Sequence, residues 1–374
     1  MKHPFPLSLI LLLSSGAGEL AAQTWITKAP LPTSALANGA RSLAVASLNG
    51  KFYTVGGLNL PNPISTVLEY DPISNNWAQK SNMLSPRYAP GAAALNGRLY
   101  AMGGSVDSSA TLTASTEYYD PVSNTWSNRA NMQQARYAFQ AVALNGKIYA
   151  IGGQGAGDAP LPSIEEYDPL ANTWTTKSNM PSGRVSFAAA AVNGKIYVLG
   201  GRIINTPIPE VYEYDPATNS WIVKAPIPTP RETLAAVVVN GNILTFGGTS
   251  LDGIPRKSVD EYSPVFDVWI TQPSLPTARN ECFAFLDEST VYVFGGYNDN
   301  TMQARLIAPG LNIYTAIELE FLTQTGKTYQ AQASLDLANW TNLDTSFPGD
   351  GNIWRKLYST RNQTRLFYRL QQTP

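Results

Sequence analysis

The sequence NGKIYAIGG (145–153) occurs again as NGKIYVLGG (193–201), 48 residues further along the chain. The Gly-Gly pair that closes both stretches occurs six times, and successive pairs are separated by 47, 49, 48, 47 and 48 residues. A tryptophan and an arginine recur with nearly the same spacing. A period near 50 residues, with one small sheet per repeat, is typical of a β-propeller. Six copies therefore predict six blades over residues 24–309.

Each repeat divides into four predicted strands, named A to D in chain order. In the third copy they are YAFQAVAL (137–144), KIYAIGG (147–153), SIEEYD (163–168) and TWTTK (173–177). The Asn-Gly pair between strands A and B favours a two-residue hairpin turn. The opening stretch is therefore the A–B turn followed by strand B, and it recurs because every blade needs that hairpin.

A second pattern marks the end of strand C in five copies. It reads LEYDP (68–72), YYDP (118–121), EEYDP (165–169), YEYDP (212–216) and DEYSP (260–264). The double glycine, the tyrosine-containing strand end and the tryptophan a few residues later resemble the kelch repeat. The resemblance implies an all-β fold, a six-bladed kelch β-propeller. Such a fold does not by itself identify a function.

The sixth copy departs from the pattern in a way that predicts how the ring closes. ARLIAP (304–309) stands where EYDP belongs, and no tryptophan follows it within the repeat. At the other end, TWITK (24–28) has the sequence of a strand D but no strands A to C before it. We therefore expect the N-terminal strand to complete the last blade. That arrangement covers the sheet edges that an open ring exposes.

Two further segments flank the repeats. Residues 1–22 combine a lysine, an apolar run over 7–13 and small residues at 21–22, which is the layout of a secretory signal peptide. They predict a secreted or periplasmic protein whose propeller occupies residues 23–309. Residues 310–374 alternate apolar and polar positions and predict a small, β-sandwich-like C-terminal module. Its SLDLANW and FYRL segments resemble a module carried by many secreted proteins of environmental bacteria.

Composition excludes several classes of function. Only 14% of residues are charged and the net charge is −1, so we expect no nucleic-acid partner. The apolar run over 7–13 is too short to cross a membrane and no other window reaches roughly 18 apolar residues, so we expect no membrane span. The single histidine, His3, lies in the predicted signal peptide, and Cys282 is the single cysteine. Ser-His-Asp hydrolysis and a copper radical oxidase resembling galactose oxidase both need histidine, so neither fits. We expect no cofactor, no metal, a buried Cys282 and a monomer.

The predicted binding face follows from the loops. In an up-and-down blade, the B–C and D–A loops share one face and the A–B and C–D loops share the other. The A–B and C–D loops are short and nearly identical between copies, whereas the B–C loops differ in length and content. Variable loops on a rigid scaffold usually carry binding. We therefore place the candidate site on the B–C/D–A face or in the mouth of the central channel.

Arginines recur at the start of strand A on this face. They are Arg41, Arg87, Arg136, Arg184, Arg231 and Arg279. A ring of cations suits an acidic ligand. A residue repeated in every blade is more simply explained by a structural role in every blade. Both interpretations stay open at this point.

Positions that break the sixfold symmetry are better candidates for recognising an asymmetric ligand. They follow the arginines and the Gly-Gly pairs. Together with the arginines they give the ligand-binding candidates Arg87, Tyr88, Arg136, Tyr137, Arg184, Arg202, Arg231, Arg279 and Tyr297. Glu232 and Glu281 are the only candidates for acid/base catalysis, and no catalytic motif accompanies them.

Two functions remain. The first is a binding or interaction protein that recognises a glycan or protein ligand through the B–C/D–A face. The alternative is a carbohydrate-active enzyme resembling sialate mutarotases and epimerases. Opening a sugar ring at the anomeric centre needs a positioned acid and base, which Glu232 or Glu281 can supply while an arginine holds the sugar carboxylate.

Overall fold

The structure is a computed structural model that describes residues 25–32, 42–109, 111–296, 301–306, 316–322, 325–334, 341–342, 346–348, 353–359 and 367–373. Residues Thr24–Leu306 form one compact unit, and Ile307–Pro374 belong to a second. The predicted signal peptide, Arg41 and Tyr297 lie outside the described residues. Among the described residues, no helix has the length and apolar character needed to cross a membrane.

The first unit is a six-bladed β-propeller, as predicted. Each blade is a four-stranded antiparallel sheet in the order A-B-C-D. In blades 1 and 2 the strands are Ala44–Leu48, Lys51–Val55, Val67–Asp71 and Asn76–Lys80, then Gly91–Leu95, Arg98–Met102, Thr116–Asp120 and Thr125–Arg129. In blades 3 and 4 they are Gln140–Leu144, Lys147–Ile151, Ile164–Asp168 and Thr173–Lys177, then Ala188–Val192, Lys195–Leu199, Val211–Asp215 and Ser220–Lys224. In blade 5 they are Ala235–Val239, Asn242–Phe246, Val259–Ser263 and Val268–Gln272.

Blade 6 is built from both ends of the propeller sequence. Its strands A to C are Phe283–Asp287, Thr290–Phe294 and Met302–Leu306, and its strand D is Ile26–Lys28. Thr27 lies opposite Gln303 in this antiparallel pair. The prediction of an N-terminal closing strand is therefore confirmed. It is three residues long, whereas strand D has five residues in each of the other blades.

Strands A and B are shorter than the sequence predicts, and backbone geometry explains why. Strand A of blade 3 begins at Gln140 rather than at 137, because Ala138 adopts a φ of 50° and turns the chain. Strand B ends at Ile151, before Gly152 and Gly153, whose φ values are 57° and 89°. A Cβ on Gly153 would lie 2.7 Å from the carbonyl oxygen of Tyr137. The second glycine therefore lets strand B approach the start of strand A.

Neighbouring blades are joined by a recurring set of hydrogen bonds that we call the inter-blade clasp. Between blades 2 and 3, the indole Nε1 of Trp174 donates to the carbonyl oxygen of Ala130 at 2.9 Å. Asn172 Oδ1 accepts from the N–H of the same Ala130 at 3.0 Å and from the Tyr167 hydroxyl at 2.7 Å. Ala130, the residue after strand D of blade 2, therefore has both its backbone N–H and its carbonyl oxygen hydrogen-bonded to side chains of blade 3.

The clasp explains why the C–D sequence pattern is repeated. The backbone positions held in this way are Ala29, Ser81, Ala130, Ser178 and Ala225. The acceptor in the C–D turn is an asparagine in four of these clasps and Asp267 in the fifth. The tyrosine of the EYDP pattern fixes that acceptor, and the tryptophan completes the contact with the preceding blade.

Strand A is the innermost strand, and the B–C loops carry most of the extra structure. Strands A of neighbouring blades contact one another around the axis. The B–C loops of blades 1 and 4 form small hairpins, Leu58–Asn59 with Asn62–Pro63 and Arg202–Ile203 with Thr206–Pro207. The B–C loop of blade 3 contains a 3₁₀ turn at Ala156–Asp158.

The C-terminal unit is also all-β, as predicted. Ala316–Leu322 pairs with Ile353–Ser359 in a two-stranded antiparallel sheet. Thr328–Ser334 pairs with Phe367–Thr373, and two short strands pair with other parts of it. The short strands are Thr341–Asn342 and Phe347–Pro348.

Candidate functional site

A funnel opens at the propeller axis on the B–C/D–A face. It encloses about 590 Å³ and is lined by the beginning of strand A and the residues before it in all six blades. Three residues that follow Gly-Gly pairs add to its wall: Gln154, Arg202 and Thr249. The loops that differ most between blades surround this opening. It is the candidate functional site.

A ring of six residues, joined in chain order by five backbone hydrogen bonds, forms the rim of the funnel. Its members are Ser42, Ala89, Ala138, Ser186, Thr233 and Glu281, whose φ values lie between 46° and 55°. The N–H of Ala89 donates to the carbonyl oxygen of Ser42 at 2.7 Å, and that of Ala138 donates to Ala89 at 3.0 Å. The same link continues through Ser186, Thr233 and Glu281. Sequence reasoning missed this ring because backbone groups form it and residues of differing chemistry occupy its positions.

The ring corrects the arginine alignment in blade 1. Ser42 has the φ of a ring residue, so it corresponds to Ala89. Counting back from the A–B turn, Arg41 therefore has the register of Tyr88, and Ala40 has the register of Arg87. The arginine repeat is fivefold rather than sixfold. The alignment of Arg41 with the other arginines was wrong by one residue, because such a shift barely changes the period of the repeat.

The five arginines that share this register lie inside the blades rather than on the funnel. Each is at most 2% exposed: Arg87, Arg136, Arg184, Arg231 and Arg279. Arg136 Nη1 donates to the carbonyl oxygens of Gly152 at 2.9 Å and Ser163 at 3.0 Å, and Nη2 lies 2.7 Å from the Glu165 carboxylate. Burial lowers the pKa of Arg136, and the charge of Glu165 opposes that shift. The guanidinium group therefore ties the Gly-Gly turn to strand C.

The side-chain partner of the arginine changes between blades. Arg87 pairs with Glu117 at 2.7 Å, and Arg231 pairs with Asp260 at 2.5 Å. In blade 4 the guanidinium of Arg184 lies 4.3 Å from the ring centroid of Tyr212. Arg279 donates to the carbonyl oxygen of Gly295 at 2.8 Å and to the Thr301 hydroxyl at 2.6 Å.

In blade 1, neither the arginine nor its acidic partner is present. Leu68 has the register of Glu165, and Ala40 has the register of the arginine. The buried arginines thus have the structural role. The expectation that they contact an acidic ligand is not met, because all five guanidinium groups are buried inside the blades and none lines the funnel, and three of them pair with a carboxylate there.

The residue between the buried arginine and the ring residue differs from blade to blade. It is Tyr88, Tyr137, Val185, Glu232 and Asn280 in blades 2 to 6. Four of these line the funnel. Val185 is buried, and its cross-strand neighbour Arg202 reaches the funnel in its place. The side chains at this position therefore differ from blade to blade, while the buried arginine before it and the rim residue after it recur.

The wall formed by blades 2 and 3 is aromatic. The rings of Tyr88 and Tyr137 lie 6.0 Å apart, centroid to centroid, with their planes inclined by 37°. The Tyr137 hydroxyl donates to Asp158 in the B–C loop at 3.3 Å. Burial is the main cause that raises the pKa of Tyr137 to about 12, and Asp158 adds to the shift. Tyr137 is thus neutral near pH 7, and the wall presents rings and hydroxyls.

The wall formed by blades 4 to 6 is polar and ionic. Arg202 Nε lies 2.8 Å from the carboxylate of Glu232 in the next blade. Burial raises the pKa of Glu232, Arg202 opposes that shift, and the nearby charge of Glu281 adds to it. The Ser42 hydroxyl donates to Glu281 at 3.4 Å. In a six-bladed ring, blades 5 and 6 face blades 2 and 3, so Glu232 and Glu281 stand opposite the aromatic wall, whereas Arg202 in blade 4 lies beside it.

Small apolar side chains from strand A also line the funnel. These are the second residues of strand A in each blade: Val45, Ala92, Ala141, Ala189, Ala236 and Ala284.

Cys282 is 4% exposed, and burial raises the pKa of its thiol to about 11. The prediction that this cysteine occupies a core position is confirmed. Within the described part of the chain, no three or more His, Cys, Asp or Glu side chains group as metal ligands would.

Comparisons with known proteins agree with the fold. The family model described as the KLHDC2/KLHL20/DRC7 Kelch-repeats domain matches residues 91–296, and a Kelch motif model matches residues 40–84. The chain is 38% identical over 61 residues to an F-box/kelch-repeat protein of Arabidopsis thaliana, covering 16% of this chain and 13% of that one.

Two other relatives match longer segments. The chain is 35% identical over 82 residues to the Influenza virus NS1A-binding protein homolog of Mus musculus, covering 22% of this chain and 13% of that one. It is 32% identical over 108 residues to Kelch-like protein 33 of Homo sapiens, covering 29% of this chain and 19% of that one. The chain thus spans less than a fifth of the length of each of these relatives. With six blades of this pattern and a family match over more than half of its residues, the chain belongs to the kelch-repeat family.

Proposed function

We propose that this protein is a binding module that recognises a segment of a protein partner with the axial funnel and the B–C loops around it. The observation that carries the proposal is the single level of the funnel at which side chains change from blade to blade. An aromatic wall at Tyr88 and Tyr137 lies opposite the carboxylates of Glu232 and Glu281, and Arg202 lies beside the aromatic wall, where it pairs with Glu232. Such asymmetry orients a ligand that has no sixfold symmetry.

Exposed aliphatic side chains on the same face favour a protein partner over a small molecule. Leu60 is 51% exposed, Ile204 70%, Leu251 70% and Ile254 55%, all in B–C loops. The C–D turns of the opposite face carry aliphatic side chains that are at least as exposed, such as Ile73 and Leu170, so it is the position of the B–C residues around a concave opening that favours a protein partner. A monosaccharide held inside the funnel leaves these loops uncovered, whereas a protein segment covers both. One relative is itself named for binding a protein, influenza virus NS1A.

The test is selection of ligands on the full chain. A phage-displayed random peptide library is panned on the protein, and enriched peptides are measured against the variant Tyr88→Ala/Tyr137→Ala and against Leu251→Ser/Ile254→Ser. Val122→Ser, which changes a 90% exposed residue on the opposite face, is the control. We expect both funnel-face variants to weaken binding by tenfold or more, roughly the loss of one well-packed contact, and the control to keep it. Peptides that bind all three variants equally contradict the proposed surface.

A glycan ligand is the other class that the sequence predicts, and a glycan array on the same proteins tests it directly. Selective glycan binding that is lost in the Tyr88→Ala/Tyr137→Ala variant, with no enriched peptides, would replace the protein partner by a carbohydrate. Export of the protein, predicted from residues 1–22, remains a proposal of its own.

The second candidate function is the carbohydrate-active enzyme. Its specific support is that Glu232 is half-buried beside Glu281 in the funnel wall and has a raised pKa, as a general acid requires. Arg202 is the funnel arginine available for a sugar carboxylate, and it already pairs with Glu232. Anomeric exchange of N-acetylneuraminic acid, followed by NMR with the native chain and Glu232→Gln, is the test. Exchange that is no faster than in buffer excludes this activity for that sugar.

A further inference from the structure

The joint between blades 5 and 6 differs from the five joints that carry an inter-blade clasp. The backbone position that follows strand D of blade 5 is Pro273, which has no N–H to donate. The tryptophan of blade 6 is Trp25, and its buried indole Nε1 finds no hydrogen-bond partner among the described residues. Its ring does contact Phe246 of blade 5, with centroids 6.3 Å apart. The ring contact is present, but the hydrogen bonds of the clasp are not formed.

The chain path explains the difference. In blades 1 to 5, the clasp acceptor stands in the turn that links strands C and D. In blade 6, strand C is Met302–Leu306 and strand D is Ile26–Lys28, so no C–D turn joins them. The register position of the clasp tyrosine is occupied by Arg305. A closing strand from the other end of the propeller therefore cannot reproduce the motif.

The closing strand is also unevenly attached. It pairs with strand C of blade 6 through three residues, whereas the C–D pairs of the other blades contain five. On its other side, Ala29 donates to Asn75 Oδ1 at 3.0 Å and accepts from Trp77 Nε1 at 3.1 Å. The clasp thus fastens the end of this strand to blade 1. Among the described residues, its attachment to blades 5 and 6 consists of the three-residue pairing, the Trp25–Phe246 ring contact and the position of Lys28 over the Tyr292 ring.

We propose that residues Trp25–Lys28 act as a strap, and that the propeller opens first by release of this strap from Met302–Leu306 while Ala29 stays clasped to blade 1. The opening uncovers the edge of one strand in blade 6 and leaves the other five blades closed. We expect local unfolding to start at the joint without a clasp, because opening there breaks the fewest contacts.

Hydrogen–deuterium exchange of the full chain, read by mass spectrometry, tests the location of opening. We expect amides of Ile26–Lys28 and Met302–Leu306 to exchange roughly tenfold or more faster than those of the matching pair in blade 3, Thr173–Lys177 and Ile164–Asp168. Equal exchange in the two pairs, or faster exchange in blade 3, overturns the proposal.

A pair of matched variants tests the cause. Trp174→Phe removes an indole donor that is used, and Trp25→Phe removes one that finds no partner, while both keep an aromatic ring. We expect Trp174→Phe to speed exchange in Thr173–Lys177 by roughly fivefold. Trp25→Phe should leave the exchange of Ile26–Lys28 unchanged. If Trp25→Phe accelerates exchange as much as Trp174→Phe does, the joint is clasped and the proposal fails.

Discussion

Arg202 Nε lies 2.8 Å from the carboxylate of Glu232, and this ion pair joins blade 4 to blade 5 across the wall of the axial funnel. Arg202 also donates through Nη1 to the carbonyl oxygen of Ile204 at 2.6 Å. One side chain therefore fixes both the B–C hairpin of blade 4 and the half-buried carboxylate of blade 5. The pair defines the ionic side of the candidate site.

The pH dependence of stability tests the environment of Glu232. Burial raises its folded pKa above the ordinary value of 4.5, so protonation favours the folded state. Its stabilising contribution is fully present below that ordinary value and is lost as the pH rises through the folded pKa. Glu232→Gln removes this dependence, so the variant should gain stability relative to the native chain as the pH rises towards neutral. Urea unfolding of the native chain and the variant at several pH values measures it.

A relative loss of stability in Glu232→Gln as the pH rises would show that Arg202 outweighs burial. In that case the pKa of Glu232 is lowered in the folded protein, and the case for a general acid at this position fails.

The buried arginine pairs predict a marked asymmetry between single and double substitutions. Glu165→Leu leaves the guanidinium of Arg136 buried without its carboxylate and should cost about 3–5 kcal/mol of unfolding free energy. Arg136→Met combined with Glu165→Leu should cost much less, since blade 1 carries neither charge at these positions. Chemical denaturation of the single and double variants measures the coupling. Additive losses would contradict the structural role assigned to the arginines.

The inter-blade clasp predicts which substitutions its acceptor tolerates. Asn172→Ala removes the acceptor of two hydrogen bonds and should cost about 2 kcal/mol. Asn172→Asp should cost much less, because Asp267 fills the same position in blade 5 and accepts from Ala225 at 2.8 Å. Thermal unfolding of both variants decides the point. Equal losses would mean that the side-chain oxygen is not what the position requires.

The double glycine gives a test with an internal control. Gly153→Ala places a Cβ 2.7 Å from the Tyr137 carbonyl oxygen, whereas Gly157→Ala meets nothing within 4 Å. Both positions have positive φ, so both variants bear the backbone cost of about 1 kcal/mol. Only Gly153→Ala should lose considerably more stability in denaturant unfolding. Similar losses at the two positions would show that close approach of the strands is not the reason for the glycine.

Cys282 predicts a simple chemical readout. Because burial raises its thiol pKa to about 11, the native protein should not react with Ellman's reagent at pH 8, where the thiol is protonated and covered. Denaturant should release one reactive thiol per chain. Rapid labelling of the native protein would contradict the core position of this residue.

The sequence predicted the blade count and the closing strand because each depends on motifs repeated along the chain. It did not predict the rim ring, whose members include Ser42 and Glu281, since backbone conformation rather than residue type defines it. It placed Arg41 with Arg87 because a one-residue shift barely alters a period near 48. It could not distinguish a buried Arg136 from a solvent-facing one, since its partner Glu165 lies 29 residues away.

The funnel as a binding surface is tested most directly by photo-crosslinking. Tyr137 in the funnel is replaced by benzoylphenylalanine, and in a second protein Val122 on the opposite face is replaced in the same way. Each full-length protein is irradiated with a peptide enriched on the native chain. We expect a crosslinked product at position 137 and none at 122. Crosslinking at 122 without crosslinking at 137 would contradict the funnel as the binding surface.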